Sequence, residues 1–175
     1  MKYVAITIGV VLLLTVGAHA QAPKPGPELK KLEVWNEEWS YETDYKASPV
    51  GLAGKATGKM SIQMILGGFA QENRYSEKGT NGPVEGYQVT AYDPVNKQYT
   101  WNSWDNAGGI IFGSGASSGN TWNWKGTLIQ GGKKYAARGT DILSQDLKTD
   151  KYTFEISTDE KTWIPVFEVR ATRTK

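Results

Sequence analysis

The chain has 175 residues, with 20 lysines and arginines against 18 aspartates and glutamates, a formal charge of +2 at pH 7. It carries one histidine and no cysteine. A balance so near zero, without any Lys/Arg run, lacks the electrostatic footprint of a nucleic-acid binder.

The first twenty residues have the pattern of a secretory signal peptide. Lys2 gives a positive start, Val4 to Val16 is uncharged and apolar, and Ala18-His19-Ala20 is a small-x-small cleavage site. The apolar run is shorter than the ~20 residues needed to span a bilayer, so no stable membrane insertion is expected. Cleavage after Ala20 removes Lys2 and His19 and leaves residues 21–175. That remainder has the size of one domain able to bury roughly 70% of its unfolded surface. Without His or Cys it offers no Ser-His-Asp or Cys-His nucleophile, no His- or Cys-ligated haem, and no imidazole or thiolate zinc site. No cofactor and no metal site are expected. Any chemistry would have to come from Asp, Glu, Lys, Arg, Tyr, Ser or Thr.

Residues 21–27 (QAPKPGP) read as a flexible, Pro-rich leader, and residues 28–175 as a single domain. Pro27 suits the first position of a helix over Glu28 to Trp35, with Leu29, Leu32 and Trp35 on one face. Ten strand-like runs follow. The first is Trp39 to Ala47, and the second, Ala56 to Leu66, has Met60, Ile62 and Met64 on one face. Gly67-Gly68 turns the chain into Phe69 to Lys78, and Gly79 to Pro83 is the next turn. Glu85 to Tyr92 and Lys97 to Trp104 flank Asp93-Pro94-Val95-Asn96 as a hairpin. Gly108 to Ser114, Thr121 to Ile129, Lys133 to Leu143, Lys151 to Thr158 and Thr162 to Thr172 complete the series.

Strands every 10 to 14 residues, joined by short polar turns, predict an antiparallel meander. Closing on itself removes the edges of such a sheet. The predicted fold is therefore all-β: an antiparallel up-and-down barrel of about ten strands, with the short N-terminal helix capping one end. A β-sandwich is the competing arrangement.

Several stretches resemble a bacterial secreted family of unknown function with a lipocalin-like (calycin) barrel. They are PELKKLEVW, the GGF at Gly67 to Phe69, YDPVNKQYTWNSWDNAGG from Tyr92 to Gly109, GNTWNWKGT at Gly119 to Thr127, GGKKY at Gly131 to Tyr135, and FEVRATRTK at the C-terminus. Lipocalin-like barrels often begin with Gly-x-Trp, where this chain has Glu37-Glu38-Trp39. The resemblance implies that an Arg packs across Trp39 at the barrel base, and Arg173 is the candidate.

The aromatic load is the strongest functional signal. Trp101 shares a face with Tyr99, Trp104 points the other way, and Trp122 and Trp124 share a face of their own strand. These rings, with Tyr92, Met60 and Met64, either line a ligand cavity or fill the barrel core. Glu72 and Arg74 share a face, and Tyr75 lies on the other. Facing inward, the charged pair would bind a carboxylate or polarise a ligand; facing outward, it is a solvated surface. Arg138 and Glu168 invite the same two readings. Asp105-Asn106-Ala107-Gly108-Gly109 reads as an Asx-type turn, since one carboxylate is too few for Ca²⁺. Gly131-Gly132-Lys133 lacks the frame of a phosphate loop and reads as a turn.

The leading expectation is an exported, periplasmic or secreted protein that holds a small hydrophobic or aromatic ligand inside the barrel. No catalytic residue stands out. The alternatives are a calycin-type isomerase or hydrolase using Glu, Asp, Tyr or Arg, with Glu72 as acid/base, and a surface carbohydrate- or protein-binding module presenting Trp101 and Trp122. The sequence leaves the oligomeric state open.

Overall fold

The computed structural model describes residues 23–174. The expected signal peptide, residues 1–20, lies outside the described residues, as do the first two residues of the leader.

Among the described residues the chain forms one short helix, α1 (Pro27–Lys31), continued by a 3-10 turn (Leu32–Trp35), and ten strands. The strands are β1 (Glu37–Tyr45), β2 (Gly54–Ile65), β3 (Ala70–Gly79), β4 (Gly82–Asp93), β5 (Gln98–Asp105), β6 (Ile110–Ser118), β7 (Thr121–Gln130), β8 (Lys133–Leu143), β9 (Thr149–Ser157) and β10 (Ile164–Arg173). Each pairs antiparallel with its neighbour in sequence, and β1 pairs with β10. The result is a closed ten-strand barrel, as the period-2 runs predict. Among the described residues no helix is long and apolar enough to cross a membrane.

Turn chemistry sets the strand limits. The Asp93 carboxylate accepts from the N–H groups of Val95 and Asn96 at 2.9 and 3.2 Å, which closes the turn between β4 and β5. Asp105 does the same for Ala107 and Gly109 at 2.9 and 2.8 Å. Three departures from the sequence reading have local causes. The β3–β4 turn is only Thr80-Asn81, because Gly82 at φ +88° lets the chain reverse early. Pro83 then falls at the start of β4, where a missing N–H is tolerated. Gly67 and Gly68 lie within a 3-10 turn instead of a two-residue hairpin turn. In β10 the register slips between Pro165 and Phe167. That bulge sets Val166 and Phe167 on the inner wall together.

The interior has two layers. Next to the helix, Leu29, Leu32, Trp35, Trp39, Ile62, Tyr99, Trp122 and Leu143 are buried in the core. The helical segment is tied down from several strands. The Gln71 amide donates to Leu32 O at 2.6 Å, the Tyr99 hydroxyl to Glu28 O at 3.0 Å, and the Trp39 indole to Trp35 O at 2.9 Å. The Arg173 guanidinium lies 4.8 Å over the Trp39 ring and donates to Val34 O. These bonds satisfy carbonyls that a short helix would otherwise leave unpaired, so α1 and its continuation plug that end of the barrel. The second layer, towards the opposite loops, is open.

Candidate functional site

The open layer is a cavity of about 450 Å³. Its lining runs from Leu32 and Trp35 under the plug to Val50, Gly51, Asn81 and Ala107 in loops at the far end and Gln130 at the end of β7. Asn81 ties the β1–β2 loop to the β3–β4 turn through bonds with the Leu52 backbone at 3.1 and 3.2 Å.

Rings line this space without filling it, and the reason lies in the cross-strand pairing. Tyr41 sits opposite Gly58, Tyr75 opposite Gly86, Trp101 opposite Gly113, Trp124 between Gly115 and Gly139, and Phe154 opposite Gly139. A Cβ on Gly86 would lie 2.1 Å from Cζ of Tyr75, and one on Gly115 would lie 2.3 Å from Cε3 of Trp124. The missing side chains let the rings lie flat on the neighbouring strand, an arrangement in which an aromatic covers a strand glycine. Rings folded against the wall leave the barrel axis free.

Polar groups enter this lining at two levels. Deep in the cavity Asp141 of β8 and Asp150 of β9 are neighbours, and the Trp124 indole donates to Asp141 Oδ2 at 2.6 Å. Burial pushes Asp150 up to about 7. Burial and the neighbouring Asp150 charge push Asp141 well above the usual carboxylate range. Asp150 Oδ1 is buried without a partner, and so is Asn73 Oδ1. Tyr152, paired across the strands with Asp141, is held neutral mainly by its burial.

Nearer the mouth, Glu77 accepts from Thr43 Oγ1 at 3.2 Å and from the Tyr45 hydroxyl. Burial raises the Tyr41 and Tyr45 hydroxyls, and it pushes Tyr75 up to about 12. The carboxyl-bearing residues of the lining are Glu77, Asp105, Asp141 and Asp150; no Lys or Arg is among them. Among the described residues no group of three or more His, Cys, Asp or Glu is placed to hold a metal ion.

The residues singled out from the sequence fall into three places. Met60, Trp101 and Trp124 line the cavity. Met64, Tyr92 and Trp122 face inward but pack in the plugged layer. There Trp122 meets Trp35 at 6.3 Å and Tyr99 at 4.8 Å, Tyr92 meets Tyr99 at 5.2 Å, and Met64 lies beside the Gln71 amide. Glu72, Arg74 and Arg138 are on the outer wall, which corrects the inward reading of all three. The inner face of β3 carries Gln71, Asn73, Tyr75 and Glu77, so alternation turns Glu72 and Arg74 outward. Glu72 accepts there from Gln63, Tyr87 and Arg74 at 2.6, 2.8 and 3.2 Å. Arg138 pairs with Glu155 at 2.6 Å and lies 4.2 Å over the Trp163 ring. Glu168 is likewise paired, with Lys151 at 3.3 Å. An exposed Trp101–Trp122 platform does not exist, since these residues are 4% and 3% exposed. Trp39 and Arg173 meet at the plugged base, and Asp105 caps its turn at the mouth.

Residues 24–173 match the model of a family described as a protein of unknown function, DUF1579. The chain belongs to this family. No curated protein matches it. Among solved structures, Rv2717c from M. tuberculosis is similar in fold, with a TM-score of 0.65 at 11% identity over 86% of this chain and 99% of that one. For this DUF1579 chain the likeness supports the barrel and no particular activity.

The sequence reading does not single out Tyr41, Glu77, Asp141, Asp150 and Tyr152, and it places Tyr75 only on the face opposite Glu72 and Arg74. A signal for Asp141 was present. With Gly131-Gly132 as a two-residue turn, Trp122 falls opposite Asp141 and Trp124 opposite Gly139, so an inward Trp pair brings Asp141 inward and turns Arg138 out.

Proposed function

We propose that this DUF1579 chain is exported after cleavage following Ala20 and works as a lipocalin-like cup for one small, largely apolar or aromatic molecule. The observation that carries this reading is the cavity of about 450 Å³, kept open by rings lying over glycines. Its size falls in the range of small-molecule sites, ~300–1,000 Å³, and its mixture of rings with a few polar groups is typical of them. Trp101 and Trp124 sit in the wall, so a guest changes their emission. Titration with a panel of small aromatic compounds is expected to give saturable tryptophan quenching. A panel with no saturable response would overturn the reading. Export rests on Lys2, the apolar run and Ala18-His19-Ala20. Protein recovered from outside the cytoplasm should begin at Gln21.

One observation favours a second reading, an isomerase or hydrolase. Two neighbouring carboxyl groups buried in the cavity wall, with raised proton affinity, are suited to general acid–base work. Asp141 and Asp150 would carry it, in place of the outward-facing Glu72. Loss of turnover in Asp150→Asn, with guest binding retained, would establish it.

A further inference from the structure

We propose that the guest is an organic cation, an ammonium carried on an aromatic or apolar body, with its charged end seated on Asp141 and Asp150. This rests on the guest-binding reading above and names the chemical class of the guest.

The geometry of the lining points there. The cavity wall contains four acidic residues and no Lys or Arg. Buried acids are ordinarily matched by cations or by a full set of hydrogen bonds. Asp150 is 6% exposed, and its Oδ1 has no partner. The other orphan facing the same space, Asn73 Oδ1, is also an acceptor. Both lack a donor, and an ammonium brings up to three. Trp101, Trp124, Tyr152 and Phe154 surround this end of the cavity, and the faces of such rings attract cations. An anionic guest would meet carboxyl groups with no compensating charge. A divalent metal is a poorer fit, because no three acidic or imidazole ligands converge among the described residues.

The pair is suited to respond to such a guest. Without one, burial favours keeping a proton on it. The groups that face it are the Trp124 indole N–H from β7, the Tyr152 hydroxyl from β9 and, further off, the Tyr75 hydroxyl from β3. None of these is a cation. An arriving ammonium stabilises the ionised pair, and the displaced proton leaves to solvent. Affinity therefore rises with pH across the range in which the pair ionises.

Calorimetric titration with three molecules of one shape tests the proposal: 2-naphthylmethylamine as its cation, 2-naphthalenemethanol and 2-naphthoate. At about pH 8 the amine is expected to bind at least ~10-fold more tightly than the alcohol, and naphthoate not at all. The advantage should shrink towards about pH 5, with proton release visible as a dependence of the heat on the buffer. Asp141→Asn with Asp150→Asn should bring the amine down to the alcohol's affinity while the alcohol still binds. If that double variant does not fold, the wild-type ranking of the three molecules decides alone. Equal binding of amine and alcohol, or tight binding of naphthoate, would overturn cation selection and leave the guest-binding reading standing. Failure of all three to bind would overturn both.

Discussion

Arg173 joins the last strand to the first helical segment. Its guanidinium lies over Trp39, donates to Val34 O and stands 3.5 Å from Glu37. A hydrogen bond from a charged donor contributes roughly 1.5–3 kcal/mol, and stacking on the ring adds to it. Arg173→Ala is therefore expected to lower the unfolding free energy by about 2 kcal/mol in urea titration. Arg173→Lys should recover little, because a point charge cannot both stack and reach the carbonyl. Asp150 makes the opposite kind of contribution. Its folded-state pKa is raised to about 7, while the unfolded chain titrates near ~3.9. Over that window the folded chain holds a proton that the unfolded chain has lost, so this group's contribution to stability falls as pH rises from about 4 to about 7. Carboxylates held low by turn hydrogen bonds, such as Asp159 at about 2, titrate below the window. Urea midpoints should fall across it in the wild type and flatten in the variant carrying both Asp141→Asn and Asp150→Asn, since burial raises Asp141 as well. A wild-type midpoint that climbs through the same window would contradict the assignment.

The pairing of rings with glycines is a property of neighbouring strands. Gly86→Ala places a methyl group where the Tyr75 ring lies, so the ring must swing towards the axis. The expected cost is ~1–3 kcal/mol of overpacking, together with weaker binding of any guest. Denaturation and tryptophan-quenching titrations read the two effects separately. The plug behaves differently. Leu32 is 1% exposed and touches both the core and the cavity floor, so Leu32→Ala should cost ~2–5 kcal/mol and enlarge the cavity. Much at this scale was legible in the chain. Alternation and turn chemistry act within a few residues, which is why ten runs and their Asp, Asn, Pro and Gly breaks mark ten strands. The bulge at Pro165 was not legible, since its inward Val166 and Phe167 depend on pairing with β9.

Closure of the whole barrel decides which face of every strand is inside. Glu72 and Arg74 looked like a ligand-binding pair only while that face was undetermined. With Trp101 inward, its partner Thr90 is inward. Gly86 on the same face then brings Tyr75 and Glu77 inside and turns Glu72 out. That inference passes through two hairpins and needs both turn lengths, of which the β3–β4 turn is shorter than the sequence suggested. The acidic pair was hidden for another reason. Asp141 and Asp150 lie on strands whose local patterns resemble ordinary half-buried β structure, and only the register of the β8–β9 hairpin, with Asp150 opposite Leu143, makes them diagonal neighbours. The plugged layer and the open layer also differ through ring placement, which composition alone does not encode.

Above the plug the barrel is an open, ring-walled cup with room for a guest. A crystal structure of the protein soaked with 2-naphthalenemethanol tests it most directly. Density for the naphthyl group is expected between Trp101, Trp124 and Phe154, with Tyr75 and Tyr152 still over Gly86 and Gly139. Tyr75 and Tyr152 rotated into the axis, with the soaked molecule absent from the interior, would contradict it.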